Sequence, residues 1–363
     1  MEERGFTQST VADSLGVSKE AVSKWLKEKT FPRPLALLKL GRLLELKFSE
    51  LVIKEASQEP IVAYRKVRGS KTKDHHIEEA KEMGCFLKHL VPYSPYEKLE
   101  MPPILKSPSC DYDYLQEVSK KVRKDIKLTL NDKLDFEHLI RRFSELQAVV
   151  VPVLWGKRKA HGNAIHIYLP DSKSTWVYLN LDVNIHDFKF WMAHELGHCL
   201  SPGLSGEEAE DFADAFAGAL LFPEAQSKKA YEQLISQETE LAMLKCLMDF
   251  SKNQLISAFT IYKEANKYAL RHKRESIKLD ERKLGARVTN FNKRYKNVSD
   301  LFVDDGVDLN AREYLEKAEV VFETPFFRIL SEYLSSSQKG FGYIQAVTNM
   351  NLLDSKAIYT EIT

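Results

Sequence analysis

Residues 191–200 read WMAHELGHCL, two histidines four apart with a glutamate beside the first. On an α-helix, residues four apart share a face, so His194 and His198 can direct two imidazoles at one metal ion. Glu195 sits about 100° round the helix, placed to reach a water at that ion rather than to ligate alongside both histidines. The spacing H-E-x-x-H is that of zinc metallopeptidases, in which the glutamate is the general base. The alternative is a surface or core helix whose histidines bind only water or backbone. A third ligand separates the two readings, because catalytic zinc takes three protein ligands and leaves one position open.

That ligand must come from a neighbouring element. The longer motif H-E-x-x-H-x-x-G-x-x-H fails, since Ser201 and Leu204 stand where glycine and histidine are required. A carboxylate on the next helix is the other solution, and SGEEAEDFADAFAGALLFP (205–223) supplies one. Ser205 and Glu208 have capping-box spacing, which predicts a helix running from Glu207 to Leu221 after the SPGL turn. Glu210, Asp214 and Ala217 then line one face, while Phe212, Phe216 and Leu220 line another. The small residues Ala213 and Ala217 leave room for close approach to the first helix. Glu210 can therefore ligate, and Asp214, one turn on, can accept the N–H of a ligand histidine. An acidic capping turn on a surface helix is the plainer reading of the same residues.

HELGHCL followed by E-x-x-A-[N/D]-x-F-A-x-x-L-L-x-P, here EDFADAFAGALLFP (210–223), resembles the ImmA/IrrE family of bacterial metallopeptidases. The resemblance extends upstream through TWVYLN (175–180), where the family has a strand ending in asparagine, and through PIVAYRK near residue 60, typical of members fused to a helix-turn-helix. It covers most of residues 1–225. The resemblance implies Zn2+ held by His194, His198 and Glu210, with Glu195 as general base and Asp214 behind a ligand. It also implies an α+β, zincin-like (gluzincin-type) minimal metallopeptidase domain with a small sheet. An additional donor for the oxyanion is expected. His161, His166, Tyr168 and Tyr231 are candidates, each better accounted for as structural. The strand NAIHIYL (163–169) is a candidate for holding substrate by strand addition.

The elements that must carry these residues form a mainly α, multidomain chain. Its 363 residues suffice for two or three cores. Residues 1–54 read as a helix-turn-helix domain of five helices, and 55–110, with five prolines between positions 92 and 108, as linker and peripheral structure. Residues 111–225 hold amphipathic helices, three short strands (VVVPVLW, AIHIYL, WVYLNL) and the two site helices. Residues 226–363 are helical in pattern, without a motif, and read as a regulatory or substrate-binding domain.

FTQSTVADSLGVSKEAVSKWLKEKTFPRP looks like a helix-turn-helix of the Cro/repressor (XRE) class. Gln8 opens the first motif helix, Gly16 makes the turn, and Ser18 to Lys27 is the expected recognition helix, with Val22, Trp25 and Leu26 facing inward. Lys19, Glu20, Ser23, Lys24 and Lys27 are the candidates for contacting double-stranded DNA. Residues 1–50 carry nine Lys or Arg against seven Asp or Glu, a modest +2, so a protein-binding module of the same fold is the alternative.

Net charge is +1, so no global field drives the chain onto nucleic acid or an acidic membrane. Four dispersed cysteines with no C-x-x-C pair argue against a disulfide framework and a thiolate zinc site. No apolar run approaches membrane-spanning length, and a cytoplasmic protein without a membrane partner is expected. The leading expectation is a site-specific zinc endopeptidase tied to gene regulation. The resemblance implies a repressor or antitoxin-like protein substrate, in a stress, mobile-element or phage-defence response. The alternative is a DNA-binding regulator or toxin–antitoxin component whose peptidase fold is a sensor or scaffold. Residues 270–296, with ten Lys or Arg against three Asp or Glu, are a candidate site for a nucleic-acid or acidic-protein activator, or simply a solvated face.

Overall fold

The computed structural model describes residues 6–27, 32, 34–44, 59–64, 74–96, 104–155, 163–302 and 310–363. The chain divides into two compact units, Met1–Gln58 and Glu59–Thr363.

In the first unit, α1 (Gln8–Leu15), α2 (Lys19–Leu26) and α3 (Pro34–Leu43) surround Val11, Ala12, Leu15 and Val22. Thr7 and Thr10 cap the start of α1 reciprocally, each side chain accepting the other's backbone N–H. Gly16 ends it in the left-handed region at φ 68°, which costs glycine no Cβ clash. The Ser18 hydroxyl accepts from Ala21 N at the start of α2. Leu26, expected inside with Val22 and Trp25, is 53% exposed, because one residue beyond Trp25 the helix has turned about 100° from the core. Of the five helices expected, three are described; the remainder of that expectation lies outside the described residues.

The second unit is built on a four-stranded sheet in the order β1 (Ile61–Tyr64), β3 (Ala164–Leu169), β4 (Ser174–Asn180), β2 (Val149–Val153). β2 runs parallel to β4; the other two pairings are antiparallel. Residues 55–110, expected as linker and peripheral structure, thus supply an edge strand, and they supply α4 (Asp74–Leu87) as well. Ile61–Tyr64 reads IVAY, without the apolar–polar alternation that would declare a strand. A Cβ on Gly84 of α4 would lie 2.6 Å from Pro60 Cβ and 3.1 Å from Ile167 Cγ2, so this glycine lets α4 cross the sheet. Because β3 is paired on both sides, strand addition at NAIHIYL is ruled out; its backbone N–H and C=O groups are already used.

Helices cover both faces. α5 (Tyr112–Asp125) and α6 (Phe136–Glu145) precede β2, and α7 (Ile185–Leu200) and α8 (Gly206–Leu221) follow β4. α9 (Glu224–Ile235), α10 (Glu240–Gln254), α11 (Ala258–Arg271) and α12 (Glu281–Asn292) come next, then α13 (Ala311–Phe322), α14 (Phe326–Ser337), α15 (Phe341–Thr348) and α16 (Leu352–Ile362). Strand side chains alternate between faces. His166 faces α7, its ring 5.6 Å from that of His198. Trp176 and Tyr178 face the other way: Trp176 meets Phe326, and the Tyr178 hydroxyl donates to Val347 O at 2.7 Å. The Tyr314 hydroxyl donates to Pro152 O and the Trp155 indole to Thr348 O. The C-terminal helices therefore complete the sheet's core, and residues 226–363, expected as a separate domain, belong to the same compact unit as the strands.

Candidate metal centre

α7 is buried along most of its length, with Asn184 capping its start through a bond from His186 N. At α8 the expected capping box does not form. Ser205 occupies the cap position without a side-chain bond, and Gly206 enters the helix at φ +60°. α8 is fixed at its other end, where the buried Ser119 hydroxyl and Arg123 guanidinium donate to Ala219 O and Leu220 O. The two site helices touch at Gly197, where a Cβ would stand 3.1 Å from Ala213 Cα and 3.1 Å from Phe216 Cδ1. The expected small-residue contact at Ala213 thus needs a glycine opposite it, a requirement that the spacing on either helix alone does not show.

This contact brings His194, His198 and Glu210 together, one ligand atom from each lying within 4.8 Å of the others. The two Nε2 atoms are 3.0 Å apart, and Glu210 oxygens lie 3.4 Å from His194 Nε2 and 3.5 Å from His198 Nε2. Tetrahedral donors about 2.0–2.1 Å from a zinc ion stand about 3.3 Å from each other, so the three separations fit the edges of such a site. Glu210 Oε2 is buried and accepts no hydrogen bond, the state of a lone pair directed at an ion. Asp214 Oδ1 lies 3.0 Å from His194 Nδ1, the second contact of a ligand imidazole.

Glu195 is 2% exposed, and its Oε2 has no hydrogen-bond partner. Burial pushes its carboxyl up to about 8; the His194 charge opposes the rise and Glu210 adds to it. Burial favours the neutral form of His194, while the neighbouring carboxylates of Asp214, Glu210 and Glu195 raise it; a cation at Nε2 would take the place of the second proton.

Among the oxyanion candidates, the Tyr231 hydroxyl donates to Glu275 O, a structural bond. Tyr168 is half-buried on β3, and His161 lies outside the described residues. His166 sits behind His198 with Nε2 unpartnered, and burial lowers it to about 3, leaving it neutral.

Beside the centre is a cavity of about 1120 Å³, walled by Asp187, Phe190 and Trp191 of α7, Asp211 and Asp214 of α8, and residues of α5, α11 and α12. The basic stretch 270–296 lies partly along it, and several of its cations are engaged. Arg271 binds Asp113 through two bonds of 2.8 and 2.6 Å, Lys283 meets Glu240, and Arg274 lies over the rings of Tyr231 and Tyr268 near Glu232. In the first unit, Lys19, Glu20, Lys24 and Lys27 are exposed and Ser23 is half-buried.

Comparison with known proteins bears on one end of the chain. The Helix-turn-helix family (HTH_3) matches residues 1–51. The N-terminus is an XRE-type helix-turn-helix, which supports double-stranded DNA as a partner and a part in regulation. No curated protein and no solved structure matches the chain. Among the described residues, no helix is long and apolar enough to cross a membrane.

Proposed function

We propose that the Glu59–Thr363 unit is a zinc-dependent endopeptidase joined to a DNA-binding helix-turn-helix, and that its substrate is a regulatory protein of the repressor or antitoxin type. The observation that carries this reading is the convergence of His194, His198 and Glu210 at tetrahedral spacings, with Asp214 on the outer nitrogen of one ligand. The likeness of HELGHCL and EDFADAFAGALLFP to ImmA/IrrE peptidases supports both metal and substrate class.

Bound zinc supplies a Lewis acid that polarises a carbonyl and acidifies water. His194, His198 and Glu210 hold it, and Asp214 keeps the His194 proton on Nδ1 so that Nε2 faces inward. Glu195 serves as proton carrier, accepting a proton from the attacking water and passing it to the departing amine.

Purified protein should hold about one zinc per chain. Glu195→Gln should keep the metal and abolish cleavage, whereas His198→Ala should lose both, read by metal analysis and by incubation with products of neighbouring genes. Protein purified without chelator that contains no metal would sink the proposal. A second reading, a DNA-binding regulator whose metal fold acts as sensor or scaffold, is favoured by the family match at residues 1–51. Cleavage lost on Glu195→Gln would exclude it.

A further inference from the structure

The cavity beside the metal centre continues a single stripe of α7. Asp187, Trp191, His194 and His198 follow at intervals of four, three and four residues. Seven residues bring a helix back to within about 20°, so Asp187 stands on the ligand face, about 10 Å along the axis from His194. Asp187, Phe190 and Trp191 all line the cavity.

Asp187 Oδ2 accepts one long bond of 3.4 Å from Asn292 Nδ2, and Asn292 Oδ1, also on the cavity wall, is buried without a partner. A buried acceptor without a donor is a cost that an incoming N–H group relieves. Burial pushes the Asp187 carboxyl up to about 6, and a cation placed beside it would stabilise the charged form that burial disfavours. Asp211 and Asp214 stand on the neighbouring helix. Of the three cations that line the cavity, Lys267 is engaged with Glu264 at 2.7 Å, Arg271 with Asp113, and Lys263 also acts on the Glu264 charge.

We propose that this end of the cavity receives the guanidinium of an arginine side chain on the substrate, with Asp187 as a specificity-determining residue. The inference rests on the peptidase reading and adds its substrate class. Guanidinium offers five N–H donors in one plane, matching a carboxylate and an amide oxygen together, and stacks on aromatic faces such as those of Phe190 and Trp191. Ten ångströms correspond to about three residues of extended chain. An arginine up to about three residues from the cleaved bond can therefore reach Asp187.

The test uses the zinc-loaded full chain and two probes, L-argininamide and its uncharged isostere L-citrullinamide, with binding read by calorimetry. Argininamide should bind and citrullinamide should not. Asp187→Asn should weaken argininamide at least tenfold without changing zinc content, and Asn292→Ala should weaken it more mildly. Equal binding of the two probes, or undiminished binding by Asp187→Asn, would overturn the proposal. In a mixed peptide library, cleaved products should be enriched in arginine near the cut. Cleavage that Glu195→Gln abolishes but that lacks such enrichment would overturn this inference and leave the peptidase reading standing. Asp187-dependent argininamide binding in protein that cleaves nothing would support the pocket while removing the peptidase. Argininamide should inhibit cleavage by competition; stimulation would make the pocket an effector site and overturn its assignment to substrate.

Discussion

Asp214 decides which nitrogen of His194 is available to a metal. With Oδ1 at 3.0 Å from Nδ1, the proton is held outward and Nε2 keeps its lone pair toward Glu210 and His198. Asp214→Asn preserves shape but can present an amide N–H to the same nitrogen. Zinc affinity should fall about 10- to 100-fold, measured by competition with a chromogenic chelator, with the fold unchanged by circular dichroism. Wild-type affinity in that variant would assign Asp214 no part in ligand orientation. At this scale much was legible. His194, Glu195 and His198 are local spacing on one helix, and Glu210 and Asp214 follow on the next. Gly197 was not legible as a contact, since its need arises only from Ala213 opposite. Asp187 and Asn292 meet across 105 positions, and nothing local announces such a pair.

α7 is anchored by a charge. Lys189 is 1% exposed, its ammonium donates to Leu134 O and Gln254 O, and the Phe136 ring lies 5.6 Å away. Burial pulls this ammonium down to about 7 from its ordinary 10.5, with Asp135 opposing. Between those two values the unfolded chain binds more protons than the folded one, so stability rises with pH across that window and the penalty is full below it. The gain across the window should be on the order of a few kcal/mol, and it should vanish in Lys189→Met whatever that variant's absolute stability. Denaturant melts at pH 6.5, 8 and 9.5 would check this; identical slopes in the two proteins would refute it. Helices were readable from periodicity, but β1 was not, because IVAY lacks the apolar–polar alternation and shows a strand only once its partner is known. The basic stretch hides its partners for a similar reason: Asp113, which holds Arg271, lies 158 positions away.

At the scale of the molecule, the His194, His198 and Glu210 cluster and the helix-turn-helix lie in different units. Removing residues 1–58 should leave zinc stoichiometry unchanged and abolish specific DNA binding. Lys24→Ala in the whole protein should weaken an operator complex and reduce the salt dependence of binding by about one ion, as loss of one phosphate contact would. A salt slope equal to wild type, from fluorescence anisotropy at several ionic strengths, would remove Lys24 from the interface. The two-unit division could be foreseen in outline from the turn chemistry of residues 7–27, whereas the union of the strands with the last helices could not.

That union sets an order of events during synthesis. The hydroxyls of Tyr314 and Thr324 bond to Pro152 O and Val150 O, and Tyr178 and Trp155 are closed over by Val347 and Thr348. A ribosome that has released both site helices has still made none of these covering residues. One face of the sheet must then wait, uncovered, for more than a hundred further residues. The nascent chain therefore exposes Trp176 and Tyr178 long after its histidines have emerged. The His194, His198 and Glu210 cluster, built against such a sheet, is therefore finished only when translation has passed the last of these contacts.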